Sequence, residues 1–190
     1  MRDERIPFRF DEAASVRFFD RNTVTVARDL IGHILARRYN GSFRLGRIVE
    51  TEAYLGLRDP ACHLYGGFTP RTQGSWGNPG VAYVFVAYGI HRCLNAITLS
   101  HDPYGGVLIR GVEPLFLVNE DAVQGGRPLR DGPGKVCRYF SVGRGHNTTS
   151  LTQGDLRILR SRFRPRRIES TRRIGISRAK GRKLRFVGYF

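Results

Sequence analysis

The chain has 190 residues, 41% of them hydrophobic, which suffices for one domain with a core and excludes a wholly disordered protein. No apolar run reaches the roughly 18 residues that suggest a membrane-spanning helix, and residues 1–10 lack the apolar segment of a signal peptide. The formal net charge of +16 exceeds what solubility requires and predicts a polyanionic partner. Nucleic acid, the ribosome and an anionic membrane surface are the alternatives.

The predicted elements begin with two helices. Asp11 stands where it can cap a short helix that runs through Ala14 and Phe18. The apolar spacing then predicts a second helix over 23–30.

A β-hairpin is predicted next, with strands over 34–39 and 43–55. Asn40-Gly41 between them is the pair favoured in a type I′ turn. The remaining predicted elements are strands over 81–88, 92–99 and 107–113, a short helix over 134–140, and late strands over 156–159 and 184–189. Short connections and hairpin turns predict a mainly antiparallel sheet with helices around it.

The positive charge is concentrated near the C-terminus. Residues 157–185 hold 13 basic residues against one acidic residue, Glu169, and only three of the 32 basic residues of the chain are Lys. The planar Arg side chain suits phosphate because it donates two hydrogen bonds at once. A GC-rich genome or a solvated, disordered arm would explain the same composition.

The three cysteines, Cys62, Cys93 and Cys137, are odd in number and widely separated, which argues against a disulfide framework. Cys62 and His63 are adjacent instead of spaced as a metal-binding pair, and no second pair follows. We therefore expect buried, unreactive thiols.

One predicted strand carries two carboxylates on the same face. Alternation places Glu50, Glu52 and Tyr54 on one side of it. Acidic residues are poor strand formers, so the pattern needs an explanation. The two carboxylates could lie on the solvent-exposed face of an edge strand, or they could pair with arginine side chains for structural reasons. Alternatively, one of them is a general base that activates water and stabilises the charge that develops during glycosidic hydrolysis.

Aromatic residues offer a second set of candidates. Tyr88, beside Gly89 after the apolar run 81–87, either packs back on its own sheet or protrudes and fills the gap left by an extruded nucleotide. Tyr54, His63 and Phe85 form either a stacking slot for a base or part of the core.

A series of short motifs follows in fixed order. Its members are 47–56 (RIVETEAYLG), 59–63 (DPACH), Gly66-Gly67, 69–71 (TPR), Pro79-Gly80, 83–89 (YVFVAYG), Asn95, 107–110 (VLIR), Glu113-Pro114, 132–135 (GPGK), 173–176 (RIGI) and 184–186 (LRF). This series closely resembles the alkyladenine (3-methyladenine or 3-methylpurine) DNA glycosylase family. The resemblance covers about 16–140 and the C-terminal end.

The resemblance implies an α+β fold: a single domain over residues 1–190, with a mainly antiparallel, curved, open-barrel-like sheet surrounded by short helices. It implies base-excision repair, in which an alkylated or deaminated purine is flipped from duplex DNA and its N-glycosidic bond is hydrolysed. Enzymes of this kind are monofunctional and use no metal and no cofactor. The implied partner is double-stranded DNA that contains damaged purines, with no membrane involved and the protein a monomer in the cytoplasm and nucleoid, or in the nucleus of a eukaryote.

The resemblance also implies roles for individual residues. Glu52 matches the carboxylate that activates water, Arg110 the arginine that helps to hold this water, and Tyr88 the intercalating wedge. The implied base pocket consists of Tyr54, His63, Phe85 and Asn95. The implied DNA contacts are Arg71, Trp76 and Lys135.

Two of these positions bear on specificity. Asn95 matches the residue that discriminates against the exocyclic amino group of guanine. Phe85 stands where members of the family often carry Tyr, so its ring can stack but lacks the hydroxyl. The residues leave open which damaged purine is preferred. A non-catalytic nucleic-acid binder on the same fold, and a glycosidase of free nucleosides, are the alternatives.

Overall fold

The computed structural model describes residues 5–70, 72–73, 77–99, 104–119, 122–125, 129–161 and 163–190. Within them eleven strands form one sheet and three short α-helices accompany it. The predicted α+β class with a mainly antiparallel, curved, open sheet is confirmed.

The chain begins with strand β1 (Arg5–Ala13), which pairs with two later strands. The prediction that Asp11 caps a helix through Ala14 and Phe18 is therefore wrong, because Asp11 lies within this strand. Helix α1 (Val16–Phe19) starts later, and the Ser15 hydroxyl accepts the Phe18 amide hydrogen bond at 3.3 Å. The distant strands that pair with 5–13 leave no trace in the local sequence pattern.

Helix α2 (Thr23–Asp29) and the hairpin after it confirm the predictions for this part of the chain. The Asn22 side chain caps α2. Strands β2 (Ile34–Tyr39) and β3 (Ser42–Tyr54) are joined by Asn40-Gly41, whose φ angles of 50° and 73° suit a type I′ turn.

The other elements follow in chain order. They are β4 (Ala82–Ala87), β5 (His91–Thr98), β6 (Gly105–Asn119), β7 (Ala122–Gly125), β8 (Arg130–Asp131), α3 (Pro133–Tyr139), β9 (Leu156–Ser161), β10 (Arg167–Thr171) and β11 (Arg185–Tyr189). The predicted strands β4, β5, β6, β9 and β11 and the predicted helix α3 are confirmed. The sequence did not indicate β1, β7, β8 or β10. Since β10 and much of β9 lie in the basic segment 157–185, this segment is not a solvated arm.

The sheet is organised around the pairing of β3 with β6, its two longest strands. At one end β3, β2, β9, β1, β7 and β6 pair in a closed ring. At the other end β3 pairs with β11 and β6 pairs with β5, so the sheet stays open in the order β10-β11-β3-β6-β5-β4.

One face of the open part packs against α2 and α3. Ala53, Val107 and Ile109 are fully buried on this face, and the Thr51 hydroxyl donates a hydrogen bond to the Ala27 carbonyl at 2.7 Å. Successive side chains of a strand point to opposite faces, so residue 52 of β3 points away from α2. No helix in the described part of the chain is long and apolar enough to cross a membrane.

Gly56 joins β3 to the loop that follows, and its backbone allows no side chain. Its φ is +58°, and an added Cβ would lie 1.8 Å from the Tyr104 carbonyl oxygen. Gly41 also has positive φ, +73°, but a Cβ there would meet nothing within 4 Å.

A non-glycine residue in the left-handed backbone conformation alone costs about 1–2 kcal/mol. We expect Gly56→Ala to lower the free energy of unfolding in urea by at least about 2 kcal/mol more than Gly41→Ala; equal losses would contradict the close approach.

Candidate active site

A row of paired residues crosses the open part of the sheet. Arg185 on β11 pairs with Glu52 on β3, Glu52 with Leu108 on β6, Leu108 with Asn95 on β5, and Asn95 with Tyr83 on β4. Neighbouring strands lie about 4.8 Å apart, so Glu52 and Tyr83 are about 14 Å apart on one floor. The motifs that seemed separate along the chain thus meet on a single surface.

A cavity of about 970 Å³ lies over this floor. Side chains of β3, β4, β5 and β6 form its base, and its walls come from three other segments. These wall segments are the loop 60–64, the start of α3 with residues 131–132 before it, and residues 174–178. Such a concave site beside polar groups is the expected form of a small-molecule or base pocket.

Glu52 is completely buried, and its carboxylate lies beneath Tyr54, Arg110 and Ile174, which line the cavity. The Tyr54 hydroxyl donates to Oε2 at 2.9 Å, and the Ile174 amide donates to Oε1 at 2.9 Å. The Arg110 Nε lies 3.6 Å from Oε1. The structure therefore brings together Glu52 and Arg110, the two predicted catalytic residues.

Burial raises the pKa of Glu52 above its ordinary value. The Ile174 amide, the Arg110 charge and the Tyr54 hydroxyl oppose this rise in pKa, while Glu50 adds to it. A carboxylate with a raised pKa is a stronger base than an exposed one. Burial and the adjacent Glu52 also raise the pKa of Tyr54, which keeps its hydroxyl protonated and able to donate.

Glu50 has a different environment from Glu52, although both lie on β3. Its Oε1 contacts the Nε atoms of Arg110, at 2.8 Å, and of Arg185, at 2.5 Å. An added Cβ at Gly111 would lie 3.0 Å from the Glu50 Cβ, so the glycine gives Glu50 close packing against β6. Structural pairing to arginine therefore explains Glu50. The edge-strand explanation fails for both glutamates, because β3 pairs on both sides.

Aromatic side chains form the far wall of the cavity. The ring centroids of His63 and Phe85 lie 4.4 Å apart with an angle of 70° between the ring planes, and the ring centroid of Tyr83 lies 5.5 Å from that of Phe85. The His63 Nδ1 is 3.2 Å from the Tyr83 hydroxyl, and the Asn95 amide donates to the Tyr83 carbonyl at 3.2 Å. All four predicted pocket residues, Tyr54, His63, Phe85 and Asn95, line one cavity together with Tyr83. Sequence reasoning gave no role to Tyr83, although it begins one of the motifs.

Tyr88 projects from the turn between β4 and β5. Its side chain is 81% exposed, its φ is 50°, and its neighbour Ile90 is 75% exposed. Its hydroxyl donates to the Gly175 carbonyl at 3.2 Å. The alternative that Tyr88 packs back on its own sheet is therefore wrong.

The predicted DNA contacts are only partly within the described residues. Lys135, near the start of α3, is exposed at the cavity rim and pairs with Asp131 at 2.8 Å. Arg138 and Arg178 line the same cavity. Arg71 and Trp76 lie outside the described residues.

A buried ion pair next to Glu52 was missed by sequence reasoning. The Arg173 guanidinium binds both Asp59 oxygens, at 2.5 and 2.8 Å, and donates to the Ala53 carbonyl at 2.9 Å. The guanidinium also stacks on Tyr54, with its central carbon 4.6 Å from the ring centroid. Burial would raise the pKa of Asp59, but hydrogen bonds from Arg173 and from the Leu55 and Ala61 amides hold it below its ordinary value.

Among the described residues no group of three or more His, Cys, Asp or Glu side chains is arranged to hold a metal ion. All three thiols are free, and burial raises the pKa of Cys93, on the cavity floor, to about 11. Cys93 is therefore protonated at neutral pH and a poor nucleophile.

Comparison with known proteins connects this geometry to a family. A protein of Myxococcus xanthus (strain DK1622), named for 3-methyladenine DNA glycosylase activity, is 44% identical over 134 residues, which cover 70% of this chain and 66% of that protein. Proteins with the same name from Desulfitobacterium hafniense (strain Y51) and Methanoculleus marisnigri are 35% and 39% identical, over 87% and 89% of this chain and 88% and 91% of their own lengths. The family model of the methylpurine-DNA glycosylases matches residues 17–189. The chain therefore belongs to the methylpurine-DNA glycosylase family.

Proposed function

We propose that this protein is a monofunctional glycosylase that hydrolyses the N-glycosidic bond of damaged purines in double-stranded DNA and leaves an abasic site. The observation that carries the proposal is the buried Glu52 carboxylate, held by Tyr54, Arg110 and Ile174 at the base of an aromatic-walled cavity. Phosphate binding alone gains nothing from a carboxylate in this position. The names of the relatives indicate 3-methyladenine as the first substrate to test.

The chemistry follows from the free lone pairs of Glu52. Each carboxylate oxygen can accept two hydrogen bonds, and each accepts one, from Tyr54 or from Ile174. A water molecule that enters between these residues and Arg110 can donate its hydrogen to Glu52. As the water oxygen attacks C1′ of the deoxyribose, the C1′–N bond breaks, the purine leaves with the bonding electrons, and Glu52 takes the proton.

The aromatic wall favours a cationic base. A purine methylated at N3 or N7 carries positive charge, and a cation is attracted to the faces of aromatic rings. Phe85, His63 and Tyr54 supply such faces, and the missing hydroxyl of Phe85 does not weaken this attraction. A neutral deaminated purine such as hypoxanthine can enter the same cavity but leaves less readily. Asn95, on the cavity floor, is the residue that we propose rejects the exocyclic amino group of guanine.

A base inside a duplex cannot reach this cavity, so it must be flipped out. Tyr88, the most exposed large hydrophobic side chain among the described residues, can fill the vacated gap when its exposed hydrogen bond to Gly175 is released. The excess of positive charge, concentrated in 157–185, binds phosphates without sequence preference and makes binding strongly salt-dependent. The protein acts as a monomer in the compartment that holds the DNA, the cytoplasm and nucleoid or the nucleus.

The direct test is incubation with duplexes that carry 3-methyladenine, hypoxanthine or ethenoadenine. We expect abasic sites that become strand breaks only after alkali, and no protein–DNA adduct with borohydride, because a monofunctional enzyme forms no Schiff base. Release of no base from any duplex would favour the non-catalytic binder. A trapped adduct would contradict the monofunctional mechanism.

Glu52→Gln should release 3-methyladenine about two to four decades more slowly than the wild type, since a positioned acid–base group contributes a factor of this size. Its binding to lesion DNA should be retained, because the side chain is not on the surface. Asp155→Asn, at an exposed carboxylate that pairs with Arg38 outside the basic segment, is the control and should leave the rate unchanged. A near-normal rate for Glu52→Gln would refute the assignment.

Tyr88→Ser should weaken binding to lesion DNA about tenfold or more, because base–aromatic stacking contributes about 1–3 kcal/mol. The fluorescence rise of a reporter base beside the lesion, which signals flipping, should shrink with it. Tyr189→Ser, at an exposed tyrosine on β11, serves as the control. Flipping signals that match the wild type in both variants would count against Tyr88 as the wedge.

A further inference from the structure

Three consecutive residues, Arg173, Ile174 and Gly175, contact three different parts of the site. Arg173 binds the buried Asp59, the Ile174 amide donates to Glu52, and the Gly175 carbonyl accepts from Tyr88. We refer to residues 173–175 as the strap. Of the three, Arg173 is the anchor, because its side chain is completely buried and makes the most hydrogen bonds.

We propose that Arg173, held by Asp59, is a positioning residue that keeps the Ile174 amide on the Glu52 carboxylate. The proposal rests on the proposed function, in which Glu52 is the general base. Arg173 touches neither the substrate cavity nor the reacting atoms in this arrangement, so it acts through Ile174 and not as a catalytic residue.

The geometry requires arginine in particular. The planar guanidinium binds both Asp59 oxygens, reaches the Ala53 carbonyl and stacks on the Tyr54 ring. Lysine has a single ammonium group and cannot make these contacts together. Glu52 accepts hydrogen bonds from the Ile174 amide and from the Tyr54 hydroxyl. Arg173 holds both donors in place, because it precedes Ile174 in the backbone and stacks on the Tyr54 ring.

The groups that face Glu52 come from every neighbouring element. They are Glu50 and Tyr54 on β3, Arg110 on β6, Cys93 on β5, Arg185 on β11, and Arg173 with the Ile174 amide on the strap. Among the contacts that lower the pKa of Glu52 against the effect of burial, the Ile174 amide is the strongest. If the strap shifts, this hydrogen bond is lost and the pKa of Glu52 must rise.

The test compares Arg173→Lys and Asp59→Asn with the wild type in single-turnover release of 3-methyladenine across pH. Glu52 must be ionised to act, so a higher pKa moves the acidic limb of the rate profile to higher pH. We expect the acidic limb to move by about one pH unit in both variants, since the loss of one hydrogen bond to a charged group changes its pKa by about this amount. The rate should be about tenfold lower within the displaced limb and return towards the wild-type rate at high pH. Arg38→Lys, at the exposed pair with Asp155, is the matched control and should leave the limb in place.

A second readout does not depend on activity. The hydrogen-exchange rate of the Ile174 amide, measured by NMR, should rise about tenfold in Arg173→Lys and stay unchanged in Arg38→Lys. If the wild type releases no base, the proposed function fails, and this exchange rate still decides whether Arg173 holds the strap. Should Asp59→Asn not fold, Arg173→Lys alone decides. A uniform loss of rate with an unmoved limb, or unchanged exchange at Ile174, would overturn the proposal.

Discussion

The pairing of β3 with β6 is the constraint on which the rest of the structure depends. Near one end of these two strands, other strands complete a closed ring, and near the other end the sheet spreads open. The opening puts Glu52 and Arg110 on the face of the sheet opposite α2, over which the cavity lies. The same pairing therefore stabilises the fold and exposes a floor on which a cavity can form.

Burying a carboxylate opposes folding unless partners compensate. Glu52 is compensated by donors from separate parts of the chain, Tyr54 on its own strand and Ile174 far towards the C-terminus. Arg110 is shared, since Glu50 is its nearer partner. Burial, which these partners offset only in part, leaves Glu52 with a raised pKa, which is the property that a general base requires. Glu50 pairs with Arg110 and Arg185, and its role is therefore structural.

Features encoded by neighbouring residues, such as the Asn40-Gly41 turn, could be predicted from the sequence. The residues around Tyr88 allowed both a packed and a protruding side chain, and only the order of several motifs favoured the second. Glu52 and Arg110 needed the order of several motifs, because alternation alone fitted structural pairing equally well. The expected start of the first helix at Asp11 was wrong, since partners of β1 far along the chain override the local capping signal. Arg173 and Asp59 are separated by 114 residues, and no periodicity relates them.

The central claim is that the Glu52 carboxylate is the base, and the pH dependence of single-turnover base release tests it most directly. A duplex with a cationic methylated purine is the suitable substrate, because its leaving group needs no proton. The account predicts that the wild-type rate rises along an acidic limb centred above the ordinary pKa of glutamate, and that the residual rate of Glu52→Gln has no such limb. The same limb in Glu52→Gln, at the same midpoint, would contradict the account.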